Sequence, residues 1–236
     1  MKQNNREIAI YNDSLVPYSG KDARWHDRSG FVHPLRTPSG RVVTAAFPGD
    51  HPHQHALMFA WTSARVGDRS VDFWNSHRRQ GHIENIRTIS RSPTHVDALL
   101  HHVDDTVSPP KVVLEETWQL NTVPHPSVHI LDLVSSDTLV VDEPFVIQKY
   151  HYGGMCVRGA DQWSGDVSMI TSDSKSVSNG NHSRPSWVAM FGLVDGAMCG
   201  LAAINHPSNF RYPQHVRLHP KMPYFCFFPA LSLIHI

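Results

Sequence analysis

Three imidazoles spaced two apart, in Asp50-His51-Pro52-His53-Gln54-His55, stand directly before the apolar run Ala56-Leu57-Met58-Phe59-Ala60-Trp61. Neutral imidazole is the commonest metal ligand and exchanges protons near neutrality, so the cluster points to metal binding, proton transfer or a polar network. On an extended strand, residues two apart share a face at roughly 6.6 Å, and the outer pair would lie about 13 Å apart, beyond the reach of one ion. Two of the three histidines chelate together on a straight strand, and the third needs a bend. Pro48 and Pro52 provide for one, because proline fits poorly in a central ladder. A divalent metal held by His51, His53 and His55 is one expectation; a hydrogen-bonded histidine network and a sugar-contacting site are the others.

Alternation along Val112 to Leu120 puts Val112, Leu114, Glu116, Trp118 and Leu120 on one face. Glu116 therefore points with apolar residues, where desolvation raises a carboxyl pKa toward the range useful to a general acid or base. Glu116 as base with His53 as acid is the catalytic expectation, and a buried glutamate paired with an arginine is the structural alternative. By the same count Asp132 shares a face with Val128, Ile130 and Val134. In Tyr150-His151-Tyr152-Gly153-Gly154-Met155-Cys156-Val157-Arg158, paired glycines mark a bulge or a close approach of backbone to ligand. His151 joins the catalytic candidates, and Arg158 is a substrate-binding candidate suited to a polyol or a carboxylated sugar. His206 and Asn209 either cap their own loop or contact substrate, and Trp74 completes the expected substrate-binding set.

These residues need strands to carry them. Asp195-Gly196 between the runs Trp187–Val194 and Ala197–Ile204 is a hairpin signal, and an aspartate at that point excludes a membrane helix. Phe31–Leu35 with Arg41–Thr44, and Ile83–Ile89 with His95–His101, read as further hairpins. Leu57–Thr62, Val112–Leu120, Val128–Val134, Phe145–Tyr152 and Tyr224–Phe228 read as strands, and no segment has a helical period. The expected fold is one all-β domain over residues 1–230, an antiparallel sandwich. Ser172–Arg184 is too long for a tight turn and reads as a lid or a disordered surface loop.

Lys+Arg and Asp+Glu both number 21 in 236 residues, and the longest basic run is Arg78-Arg79, so nucleic acid is not an expected partner. Three widely spaced cysteines give neither a disulfide framework nor a zinc knuckle. The polar start lacks the apolar core of a signal peptide, which favours a cytoplasmic protein with no membrane partner. Dinucleotide, P-loop, zincin and α/β-hydrolase motifs are absent, and after His53-Gln54-His55 the chain lacks the glutamate a cupin would place there.

His33-Pro34-Leu35-Arg36-Thr37-Pro38-Ser39-Gly40, Gly49-Asp50-His51-Pro52-His53-Gln54-His55, Asp72-Phe73-Trp74 and Gly81-His82-Ile83, followed by Gly153-Gly154 with Arg158 and Ile204-Asn205-His206-Pro207 with Asn209, carry a resemblance. In this order they resemble the PmoA-like, or DUF6807, family of uncharacterised soluble bacterial proteins, over roughly residues 30 to 228. The membrane methane monooxygenase subunit that this label evokes is built from membrane helices and is not implied. The resemblance implies a sandwich similar to the galactose-mutarotase supersandwich and a place in carbohydrate catabolism. It also implies a longer chain: Leu231-Ser232-Leu233-Ile234-His235-Ile236 reads as a non-native, adapter-derived tail on a C-terminally truncated domain.

The first functional expectation is a carbohydrate isomerase, epimerase or lyase with a small-molecule substrate. The alternatives are a metal-dependent oxygenase or hydrolase built on the histidine cluster, and a non-catalytic carbohydrate-binding sandwich.

Overall fold

The computed structural model describes residues 1–3, 5–20, 23–165, 167–231 and 234–235. Its strands are β1 (Lys2–Gln3), β2 (Arg6–Glu7), β3 (Ala9–Asn12), β4 (Phe31–Leu35), β5 (Leu57–Ala60), β6 (Ala64–Val66), β7 (Arg69–Val71), β8 (Gly81–Ser92), β9 (His95–Asp104) and β10 (Lys111–Val123). They continue with β11 (Ile130–Leu139), β12 (Phe145–Ile147), β13 (Gly154–Arg158), β14 (Ser168–Thr171), β15 (Trp187–Val194), β16 (Ala197–Ile204), β17 (His215–Leu218), β18 (Tyr224–Phe228) and β19 (Ile234–His235). All named strand pairs are antiparallel.

A six-stranded sheet, ordered β17-β18-β13-β5-β4-β3, forms the middle layer. On one face Met58, Cys156, Cys226 and Phe228 pack against Leu100, Leu114 and Trp118 of the sheet β11-β10-β9-β8, beside the smaller sheet β19-β12-β6-β7. On the other, Val157, Phe225, Phe227 and Val216 pack against Val188 and Met190 of the sheet β14-β15-β16 and against Trp163. A strand covered on both faces must be apolar throughout, which is why β18 reads Tyr-Phe-Cys-Phe-Phe with every residue buried. Gly154 permits the closest approach in this layer: its φ is +73°, and a Cβ there would stand 2.5 Å from the Phe227 carbonyl oxygen.

The β15–β16 hairpin turns at Asp195 (φ 49°) and Gly196 (φ 76°), the paired positive dihedrals that an Asp-Gly turn provides. β8–β9, β10 and β18 also form where the sequence places them. Four expectations change. Arg41–Thr44 makes only isolated bridges, Arg36 to Val42 and Thr44 to Gly159. β12 stops at Ile147, and the chain bends before β13. β11 has the opposite facing: Leu131 and Leu133 pack on the core, while Asp132 and Val134 face out. Ser172–Arg184 is ordered rather than a free loop. Its one-turn helix α1 (Val177–Gly180) is held by the Ser176 N–H donating to Asn179 Oδ1 at 2.9 Å, with Gly180 buried.

β19 pairs with β12 through Ile234 and Ile147; residues 232, 233 and 236 of the expected tail lie outside the described residues. No helix among the described residues is long and apolar enough to cross a membrane.

Candidate metal centre

The segment between β4 and β5 is a folded loop. Ala46 bridges His55, the Phe47 N–H donates to the Gln54 carbonyl at 2.9 Å, and two tight turns run from Pro48 to His51 and from His51 to Gln54. The bend anticipated from the prolines is present, and it brings the His51 and His53 rings to 5.5 Å between centroids. It also sends His55 the other way. His55 is 2 % exposed, donates from Nε2 to the His26 carbonyl at 3.1 Å, and packs edge-on against Phe47 at 4.6 Å. Burial first, and the nearby Arg28 charge second, hold its pKa well below the usual histidine value. His51, His53 and His55 therefore do not converge on one point.

His53 instead meets histidines remote in the chain. Its ring lies 5.6 Å from His77 and 6.5 Å from His26, and His51 in turn lies 5.9 Å from His219. Imidazoles sharing one ion, each about 2.1 Å from it through nitrogen, have centroids about 5–6 Å apart; His53 meets that spacing with His51 and with His77 separately, but the three do not bring their ligand atoms together as they stand. Burial, then the His51, His77 and His26 rings, push the His53 pKa down to about 3. His53 is half-buried and makes no hydrogen bond to the described residues. Burial, followed by the Arg217 charge, lowers His219 to about 4; its Nδ1 accepts the Lys221 and Met222 N–H groups, leaving Nε2 available. Beside His53 is a crevice of about 20 Å³, lined by His26, His53, His55, Trp74 and Ser76 among others. That is room for one water or one ion, not for a sugar ring.

Two buried charge networks hold this arrangement. Arg158, fully buried on β13, reaches across to the loop and donates from Nη2 to both Asp50 oxygens at 2.9 and 3.2 Å and from Nη1 to Gln54 Oε1 at 3.1 Å. Burial alone would raise the Asp50 pKa, but the Arg158 hydrogen bonds and charge outweigh it and the net shift is downward. Asp50 and Gln54 flank His51 and His53, so Arg158 positions the loop and is not free for substrate. Asp72 performs the equivalent task under His77. Its carboxylate accepts the Trp74 and Asn75 N–H groups at 3.0 and 2.8 Å, Asn75 Nδ2 at 2.8 Å and Arg78 Nη1 at 3.0 Å, folding the 3₁₀ turn Ser76–Arg78. Tyr152 ties in from the far side, donating to Asn75 Oδ1 at 2.9 Å.

Glu116 is elsewhere. It faces inward with Leu114 and Trp118 as alternation requires, but it is fully buried beneath the β8–β11 sheet, and its partner is His102 rather than an arginine. His102 Nε2 lies 2.8 Å from Oε2, while Ser135 Oγ at 2.5 Å and the Trp118 indole donate to Oε1. Burial raises the carboxyl pKa, as expected from the sequence, but the His102 hydrogen bond and charge, with the Ser135 and Trp118 bonds, reverse it to a net lowering. Glu116 is thus a buried carboxylate held by its own partners, away from the loop histidines. With Asp137, directly opposite on β11, it forms a grouping with metal-ligand spacing: one ligand atom each from His102, Glu116 and Asp137 lie within 4.8 Å of one another.

Asp137 carries the cost of that proximity. Burial, then the Glu116 charge, raise its pKa to about 6, although Trp61 donates to it at 2.8 Å. A carboxyl whose folded pKa is raised favours folding while protonated and opposes it once ionised. Its penalty therefore develops as pH rises from about 4 through 6. Asp137→Asn is expected to stabilise the protein by about 2 kcal/mol at pH 7.5 and by almost nothing at pH 4, read from urea midpoints. An equal gain at both pH values would show that charge is not the cause.

The remaining candidates do not face the crevice as free groups. His151 is exposed, flanked by the Tyr150 and Tyr152 rings at 4.5 and 4.6 Å. His206 Nδ1 bonds Ser208 Oγ at 2.7 Å and Asn209 donates to Asn205 Oδ1 at 2.7 Å, so that loop caps itself. Trp74 lines the crevice but is only 2 % exposed, packed on Tyr152. His26, His77 and His219 escaped the sequence reading because nothing local separates them from the other histidines of the chain. The nearest signal was Asp72-Phe73-Trp74, whose aspartate builds the turn that presents His77.

A layered antiparallel β-sandwich with a histidine-walled crevice is the class of protein that this fold and site define. The chain belongs to the DUF6807 family, a family of unknown function whose profile matches residues 1–233. No curated protein and no solved structure matches it.

Proposed function

We propose that this chain is a metal-dependent enzyme of the hydrolase or oxygenase type, with His53 at the centre of a ligand set that His51 and His77 complete by side-chain rotation, since the three rings do not converge as they stand. The observation that carries this reading is a half-buried imidazole without a hydrogen bond to the described residues, set among three other imidazoles. A base that titrates near 3 takes up a proton poorly at neutral pH, whereas a metal ligand has to be neutral. An all-imidazole set suits zinc or a neighbouring transition ion better than magnesium or calcium. Such an ion would supply Lewis acidity or an activated water.

Acid–base chemistry on a sugar ring has less support at this crevice. Glu116 is sealed in the core, Trp74 is buried, and the Trp25 ring is covered by the Arg24 and Arg79 guanidiniums at 4.6 and 4.2 Å. A carbohydrate remains the substrate class to screen first on metal-loaded protein, on the strength of the family resemblance.

Elemental mass spectrometry on untagged protein tests the metal. About one transition ion per chain is expected in the parent and in His206→Ala, falling at least about tenfold in His53→Ala with the circular dichroism spectrum unchanged. Equal metal in parent and His53→Ala, or none after exposure to zinc, manganese and iron, would sink the proposal.

A further inference from the structure

A second cavity lies away from the histidines. A solvent-open cavity of about 470 Å³ is lined by Arg36, Ser39, Gly40, Arg41, Gln162 and Asp195 among others, and shares no lining residue with the histidine crevice. Three segments converge on it: the Thr37–Arg41 loop, the 3₁₀ turn Asp161–Trp163 and the Asp195-Gly196 turn of the β15–β16 hairpin. Its volume lies in the range of small-molecule sites.

Among the described residues the polar groups around it are paired, with one exception. Arg36 Nε donates to Glu7 at 3.2 Å and its Nη1 to the Gly40 carbonyl at 3.2 Å. Asp195 accepts from Gln162 Nε2 at 3.0 Å and returns its own N–H to Gln162 Oε1 at 2.9 Å. Arg41 has only Nη1 engaged, on Ser39 Oγ at 3.2 Å; its Nε is buried without a partner, and it has no ion pair among the described residues. A turn of this side chain toward the cavity would present Nε with Nη2 as the side-on fork that takes two oxygens of a carboxylate or phosphate in parallel. An unmatched cation with a desolvated donor calls for an anion from outside the chain.

We propose that this cavity is a binding site for a small organic oxyanion, a carboxylate or a phosphate ester of about sugar size, held by the Arg41 fork with the Ser39 hydroxyl beside it. The site is independent of the metal reading and stands whichever way the metal experiment falls.

Isothermal titration calorimetry at low ionic strength tests it with three probes: glucuronate, glucose 6-phosphate and, as the neutral control, glucose. At least one of the two anions should bind and glucose should not; which anion binds separates a carboxylate site from a phosphate site. Arg41→Lys keeps the charge but loses the fork, and should weaken binding by about tenfold, while the exposed Arg87→Lys changes nothing. The proposal is overturned if neither anion binds at about 10 mM, if glucose binds as well as they do, or if Arg41→Lys binds like the parent.

Discussion

Glu116→Gln should lower the melting temperature by about 5–10 °C, the equivalent of about 2–3 kcal/mol for a domain of this size. The side chain is fully buried and serves three donors, Trp118, Ser135 and His102. An amide has one oxygen where the carboxylate has two. If that oxygen keeps Trp118 and Ser135, the amide nitrogen confronts His102 Nε2. The imidazole must then move its proton to Nδ1, a buried atom that already lacks a partner. Stranding one buried donor costs about 1–3 kcal/mol, and removing the charge that His102 faces adds to it. The pH profile should change too. Because the folded pKa of Glu116 is depressed, its contribution is present above the unfolded carboxylate value and is lost as pH falls through the lowered one. The parent should therefore lose stability on acidification more steeply than the variant. An unchanged melting temperature would return Glu116 to the catalytic candidates.

Arg158→Met is the second large effect. The variant loses the hydrogen bonds to Gln54 and Asp50 that fix the loop at both sides of His51 and His53, and leaves Gln54 buried without its cation. Breaking a buried ion pair from one side costs about 3–5 kcal/mol; Asp50 is 27 % exposed and regains some hydration, which puts the expectation near the lower bound. If His51 and His53 hold a metal, displacing the residues that orient them should cost about 10–100-fold in affinity as well. A double-mutant cycle with Asp50→Asn separates the two. Stability losses that fail to add identify the pair, and metal loss in the Arg158 variant at a temperature where it remains folded identifies the positioning role. Stability losses that add fully would refute the clamp.

Strand existence was legible because it is local. Period-two alternation marked β10 and the inward facing of Glu116, an Asp-Gly pair marked the β15–β16 hairpin, and an unbroken apolar run marked β18. The same rule misjudged the expected strand Val128–Val134, whose two end valines are each 47 % exposed, because apolar residues on an outer face imitate a core face. That a bend would form around Pro48 and Pro52 was also legible, since proline acts through its own ring. Which way each imidazole points after the bend was not. His55 turns inward because the loop closes on the Ala46 bridge, and His53 gains His26 and His77 because the β4–β5 loop, the segment after the 3₁₀ turn Ala23–Trp25 and the turn built by Asp72 meet there. Arg158 read as an exposed ligand to sugar until strand order placed Asp50 opposite it, and Glu116 read as a base until β9 placed His102 at its side. Backbone preference and burial pattern are properties of neighbouring residues, so the chain by itself determined an antiparallel β protein with a histidine-bearing loop. The partner of a buried charge and the companions of a ligand are chosen by strand order and packing, and only the tertiary structure decided them.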